Sequence, residues 1–111
     1  MNPIMAFPIT NAKLATGPSS QTSAHYGYPG AIPIVSAAGT SNAIVWAVEN
    51  ATNGVLHAYD ATNLAMELYN STQAPNGRDR FPANKFISPM VTNGRVYVGT
   101  PNGVVVFGLL P

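Results

Sequence analysis

The chain has 111 residues and a formal net charge of +1, and 8% of its residues are charged against 46% that are hydrophobic. This balance excludes an intrinsically disordered chain, which needs high charge and low hydrophobicity. It also excludes a basic surface for nucleic acid or for an anionic membrane. The sequence contains no cysteine, so disulfides, thiolate chemistry and cysteine-based zinc sites are excluded as well. No apolar run approaches the roughly 20 residues that a membrane-spanning helix requires.

The N-terminal part is predicted to contain short strands around a long loop. Ile4–Thr10 is an apolar run, and Pro8 within it suits an edge or a strand end. Ala12–Ala15 is a candidate second strand. Gly17–Gly30 is dense in Ser, Thr, Pro and Gly, which predicts a loop, and Ile32–Ser36 is the next predicted strand.

The central stretch, Ala43–Tyr69, predicts an antiparallel meander. Two turn signals, Asn53-Gly54 and Ala61-Thr62-Asn63, separate three apolar runs: Ala43–Val48, Val55–Tyr59 and Met66–Tyr69. Asn-Gly tolerates the positive φ angles of a tight hairpin turn, so we expect such a turn at Asn53-Gly54.

The C-terminal part repeats this pattern after a second loop, Asn70–Asn84, which carries the charge cluster Arg78, Asp79 and Arg80. Three further strands are predicted at Phe86–Val91, Val96–Thr100 and Val104–Leu109, joined by Asn93-Gly94 and Asn102-Gly103. No segment shows apolar residues at helical spacing over ten residues, so the chain is predicted to be all-β.

Three internal matches recur at a spacing of about 50 residues. Ile4–Asn11 aligns with Leu56–Asn63, Pro33–Ser36 aligns with Pro89–Thr92, and Val45–Ala47 aligns with Val96–Val98. Four strands in a repeat of this length are typical of a β-propeller blade. The predicted fold is therefore an incomplete β-propeller of roughly two antiparallel four-stranded blades. The side chains expected to pack between blades are aromatic: Trp46, Tyr59, Tyr69, Tyr97 and Phe107.

The stretch from Ala58 to Tyr69 resembles the repeat motif of the pyrroloquinoline-quinone-type propellers, the quinoprotein alcohol dehydrogenase-like superfamily. Ala58, Asp60 and Ala61 match that motif, whereas Asn63-Leu64 replaces Thr-Gly, one extra residue intervenes, and Leu68-Tyr69 replaces Leu-Trp. The resemblance implies that Tyr69 docks onto a neighbouring blade and that the Asp60 carboxylate accepts hydrogen bonds from turn backbone.

The resemblance and the repeats together predict one partial propeller over residues 1–111. Residues 1–16 would end one blade, residues 30–70 would form a full blade, and residues 85–111 would form most of a final blade. The chain is then expected to be the C-terminal piece of a larger propeller. Its expected partners are the remaining blades or further copies of itself, and the resemblance favours a bacterial protein in the periplasm or outside the cell.

Candidate chemical residues do not form a recognised motif. His25 and His57 lack metal-ligand spacing, so they are interpreted as structural or surface residues, with a ligand-facing loop as the alternative for His25. Glu49, Glu67 and Asp79 show no paired-carboxylate pattern, and Arg78-Asp79-Arg80 is interpreted as a solvated cluster or as a contact for an anion or a partner. No catalytic, metal-binding or cofactor-binding residue is assigned.

The function expected from the sequence is a non-catalytic propeller scaffold for binding or interaction. The alternative is the C-terminal part of a quinoprotein dehydrogenase whose catalytic residues lie outside this chain. In that case pyrroloquinoline quinone and calcium would belong to a full-length parent and not to these residues. A third possibility is a small β protein that assembles into a ring from several copies.

Overall fold

The computed structural model describes all residues from 1 to 111. The chain forms short antiparallel strands and a single 3-10 turn at Pro75–Gly77, so the predicted all-β class is confirmed. None of its helical structure is long and apolar enough to cross a membrane.

The N-terminal layer is an irregular two-stranded hairpin between Asn2 and Tyr26, which form its outermost bridge. Its strands are β1 (Met5–Ala6), β2 (Ile9–Thr10), β3 (Lys13–Leu14) and β4 (Ser20–Gln21), with β1 paired to β4 and β2 paired to β3. The predicted loop over Gly17–Gly30 is thus wrong in part. The polar residues Ser20 and Gln21 form β4 because the backbone of this segment makes hydrogen bonds to the first strand. For example, Thr22 N donates to Ile4 O at 3.0 Å.

The middle layer is a four-stranded antiparallel meander, as predicted. Its strands follow in chain order: β5 (Ile34–Ala38), β6 (Ser41–Asn50), β7 (Gly54–Asp60) and β8 (Glu67–Asn70). The long pairing of β6 with β7 runs from the pair Ile44 and Asp60 to the pair Asn50 and Gly54. Neighbouring strands are shifted in register next to Ser36 and next to Ala58.

The C-terminal layer is a three-stranded sheet of β9 (Met90–Thr92), β10 (Arg95–Thr100) and β11 (Gly103–Phe107). The order is β11-β10-β9, so β11 and β9 are both edge strands. The predicted strand over Phe86–Val91 begins late, because Phe86 has a φ of 59° and cannot enter an extended ladder.

The middle sheet holds the three layers together because both of its faces are buried. Side chains alternate along β6 and β7, so neighbouring residues point to opposite faces. One face, with Val45, Ala47 and Tyr59, packs with Tyr26 and Leu64. The opposite face packs against the C-terminal sheet in a second cluster of buried side chains: Val48, Leu56, Phe81, Val96 and Val98.

A turn precedes Gly54 as predicted, but positive φ angles at Asn53 and Gly54 are not its cause. Neither residue has a positive φ; the connection runs over Ala51 to Asn53, and Gly54 is the first residue of β7. Gly54 pairs with Phe81, whose backbone oxygen accepts from Gly54 N at 3.0 Å. A Cβ at Gly54 would overlap the Phe81 ring, so close approach of the ring requires glycine here.

The two hairpin turns predicted at Asn93-Gly94 and Asn102-Gly103 differ from each other. Asn93-Gly94 has the expected positive φ values of 49° and 70°. In the last hairpin Thr100 pairs directly with Gly103, so Pro101 and Asn102 form the turn and Gly103 already belongs to β11.

We predict that Gly54→Ala lowers the free energy of unfolding by about 1–3 kcal/mol, because the new methyl group displaces the Phe81 ring. Urea unfolding followed by circular dichroism measures the change. Gly17→Ala is the matched control, since nothing lies within 4 Å of a Cβ at Gly17, and it should change stability by less than about 0.5 kcal/mol. Equal effects of the two substitutions would contradict the Gly54–Phe81 contact.

Candidate functional site

A histidine lies between two glutamates on the face of the middle sheet that the N-terminal hairpin covers. We call Glu49, His57 and Glu67 the histidine cluster. His57 Nε2 is 3.0 Å from Glu49 Oε2, and His57 Nδ1 is 2.5 Å from Glu67 Oε1. The His57 side chain is 8% exposed, and those of Glu49 and Glu67 are 28% and 31% exposed. The cluster ties β6, β7 and β8 together.

Both ring nitrogens of His57 face a carboxylate oxygen, so Glu49 on β6 and Glu67 on β8 hold the ring from two sides. Asn70 Nδ2 supports the arrangement by donating to Glu67 Oε2 at 3.0 Å.

Two tyrosines enclose the ring of His57. The hydroxyl oxygens of Tyr26 and Tyr59 are 2.8 Å apart, the Tyr59 ring stacks on His57 with centroids 5.8 Å apart, and the Tyr26 ring meets it edge-on. Burial is the main cause that raises the pKa of both tyrosines, and the mutual hydrogen bond raises that of Tyr26 further. Both phenols therefore stay neutral at physiological pH. Every polar group here has a partner within the protein, which favours a structural role for the cluster.

The chain offers no evident cation site. No group of three or more His, Cys, Asp or Glu side chains is placed to hold a metal ion.

A groove lies between the middle sheet and the C-terminal sheet, and we call it the inter-sheet groove. Its cavity volume is about 950 Å³. The middle sheet contributes Trp46 and Tyr69 to its wall, and the C-terminal sheet contributes Val96 and Phe107. Apolar side chains make up most of the lining, and the loop Arg78–Phe81 lies at its rim.

Charged and polar side chains at this rim form a defined network around one carboxylate. Asp79 accepts from Tyr69 Oη at 2.6 Å and from Arg78 Nε at 2.7 Å. The Arg78 hydrogen bond, followed by that of Tyr69, holds the pKa of Asp79 below its usual value. Burial raises the pKa of the Tyr69 hydroxyl, and its hydrogen bond to Asp79 raises that pKa further. Arg80 has no ion-pair partner.

The structure separates the residues that the sequence analysis grouped as blade-packing. Trp46, Tyr69 and Phe107 line the inter-sheet groove, and Trp46 Nε1 donates to Ser36 Oγ at 2.8 Å. Tyr59 is buried on the opposite face of the middle sheet. Tyr97 lies half-buried on β10.

Of the two remaining candidates, Asp60 is the last residue of β7 and His25 lies in a loop. The Asp60 carboxylate accepts from Thr62 N at 2.8 Å and from the Thr62 hydroxyl, and these bonds lower the pKa of Asp60. His25 is exposed, and its Nδ1 lies 3.1 Å from Ser23 O.

The sequence analysis did not predict the histidine cluster: its three residues were identified singly, and their convergence depends on the strand register. It grouped Arg78, Asp79 and Arg80 but did not predict the hydrogen bond from Tyr69 to Asp79. His57 lies opposite Ala47, two residues before Glu49, and Tyr59 lies opposite Glu67. Acidic residues placed two positions from the cross-strand neighbours of a histidine would have indicated the histidine cluster, once the strand pairing was known.

Comparison with known proteins found no matching protein-family model, no matching curated protein and no matching solved structure.

We predict that His57→Leu lowers the free energy of unfolding by about 1–3 kcal/mol, because it leaves two half-buried carboxylates without their shared partner. The control is the same substitution in a Glu49→Gln/Glu67→Gln background, where neutral amides replace the carboxylates. There the cost should be smaller. Chemical unfolding of the four proteins measures it, and an equal cost in both backgrounds would contradict the pairing of His57 with the two glutamates.

We predict that Asp79→Asn loses a stabilising contribution that depends on pH. Because the pKa of Asp79 is lower in the folded chain than its usual value of 3.8, its contribution is complete above that value. It is lost as pH falls below 3.8 towards the folded pKa. Unfolding free energies from pH 7 to pH 2 should therefore differ most between wild type and Asp79→Asn near neutrality and converge in acid. Tyr69→Phe should show part of this effect, and a difference that grows in acid would contradict the assignment.

Proposed function

We propose that this chain is a non-catalytic scaffold of the β-propeller type whose outer sheets bind further blade-like sheets. The observation that carries the proposal is the contrast between its inner and outer faces. The two central strands of the middle sheet, β6 and β7, are covered on both sides, whereas each outer layer buries one face and leaves large apolar side chains exposed on the other.

The exposed face of the N-terminal hairpin is apolar. Ile9 and Leu14 are cross-strand partners on this face, and they are 70% and 61% exposed. Met5 and Phe7 are exposed beside them. Four large apolar side chains on so small a hairpin are typical of a contact surface.

The C-terminal sheet has a similar face. Val96 and Val98 on β10 are buried against the middle sheet, so the alternate residues point away from it. Met90, Val104 and Val106 on the neighbouring strands are more than half exposed. Tyr97 pairs with both Met90 and Val106 and belongs to the same face.

The layer order supports the propeller interpretation. The four-stranded sheet Ile34–Asn70 falls within the proposed full blade of residues 30–70, and the three-stranded sheet falls within residues 85–111. Consecutive sheets stacked in chain order, with an apolar face open at each end, are what a segment of a propeller would present.

The dehydrogenase alternative would place the cofactor site outside this chain. The residues present do not fit a quinone and calcium site. The Trp46 indole is hydrogen bonded to Ser36 at the sheet interface, and Glu49 and Glu67 are both occupied by His57. No observation in this chain favours the alternative over the scaffold.

We predict that the chain associates through its outer faces. Multi-angle light scattering over a range of concentrations should show species heavier than the 11.6 kDa monomer. Ile9→Lys combined with Val106→Lys should weaken association at least about tenfold, because each lysine would have to be desolvated at an apolar contact.

Thr52→Lys is the matched control, since Thr52 is exposed in the connection between β6 and β7 of the middle sheet; it should leave association unchanged. A discrete oligomer would indicate that copies of this chain complete the scaffold. Concentration-dependent, heterogeneous association would indicate that the natural partners are other blades. A wild-type chain that stays monomeric and binds no apolar dye would overturn the proposal.

A further inference from the structure

We propose that the inter-sheet groove is a binding site for a small aromatic carboxylate. This inference depends only on the middle and C-terminal sheets and not on the propeller interpretation.

The groove has the size and lining of a ligand site. Its volume of about 950 Å³ lies within the range of roughly 300–1,000 Å³ that is usual for small-molecule sites. The half-buried rings of Trp46, Tyr69 and Phe107 contribute to its wall, and the buried ring of Phe81 meets Phe107 edge-on at 5.7 Å. Aromatic walls favour an aromatic guest, since rings pack in stacked or edge-to-face geometry.

The charges at the rim define the polar end of the ligand. Arg78, Asp79 and Arg80 are the only charged residues in the lining, so the rim has one net positive charge. Asp79 is already occupied by Arg78 and by the Tyr69 hydroxyl. Arg80 is exposed and has no anionic partner, and a guanidinium binds a carboxylate through two parallel hydrogen bonds. A ligand with an apolar body and one carboxylate would therefore satisfy both the wall and the rim.

A small molecule fits this site better than an added β-strand does. The wall combines aromatic side chains with the backbone of Gly94 and Gly108, and the Arg80 guanidinium at the rim would pair with a carboxylate, which a strand backbone lacks. A strand that paired with the open edge of β11 would extend the sheet sideways instead.

The test uses the only tryptophan of the chain as its reporter, since Trp46 lies in the groove wall. Wild-type protein is titrated with 3,3-diphenylpropanoate while the Trp46 emission is recorded, and the neutral 3,3-diphenylpropanamide serves as the matched ligand. We expect a saturable change with the carboxylate and at least about tenfold weaker binding of the amide, because the amide lacks the charge-assisted contact to Arg80.

Arg80→Gln should weaken binding of the carboxylate by at least about tenfold and leave binding of the amide unchanged. Lys13→Gln is the control that removes one positive charge from the distant hairpin, and it should bind as wild type does. Circular dichroism establishes that both variants are folded. No saturable change with wild type, equal binding of the two ligands, or equal losses in the two variants would each overturn the proposal.

Discussion

The structure depends on the burial of both faces of one four-stranded sheet. Strict alternation along β6 and β7 sends Val45 and Tyr59 to one face and Val48 and Leu56 to the other. A shift of one residue in the pairing of these strands would exchange the two sets, so the register is strongly specified. The flanking layers are too small to be stable alone, because two or three short strands need a packed face. Each gains that face from the middle sheet.

The buried His57 side chain of this sheet forms hydrogen bonds with side chains from the sheet's own strands. The histidine cluster lies beside an apolar cluster, yet no buried side-chain nitrogen or oxygen lacks a hydrogen-bond partner. Such complete pairing matters because an unpaired buried polar group costs about 1–3 kcal/mol. The tyrosine pair adds a directional contact between the N-terminal layer and the middle sheet, and the histidine cluster links three strands within that sheet. The rim of the inter-sheet groove differs, since Arg80 has no partner there.

The sequence predicted those strands and turns that depend on patterns of a few neighbouring residues. The strands of the meander and the two C-terminal hairpins follow from β-branched residues and turn signals, which act over a few residues. The strand β4 could not be predicted, because Ser20–Gln21 has no strand signal and pairs only through its contact with β1. The role of Gly54 was equally hidden, since it depends on Phe81 in a distant loop. The convergence of Glu49 and Glu67 on His57 required the register of three strands, and the groove required the relative placement of two sheets.

The contact between Gly54 and Phe81 also bears on the order in which the chain can fold during translation. All four strands of the middle sheet have been synthesised by Asn70, and its N-terminal covering layer precedes it. The other face stays bare until Phe81 and then Val96 and Val98 have left the ribosome. For that interval the nascent chain presents Val48 and Leu56 to solvent or to a chaperone.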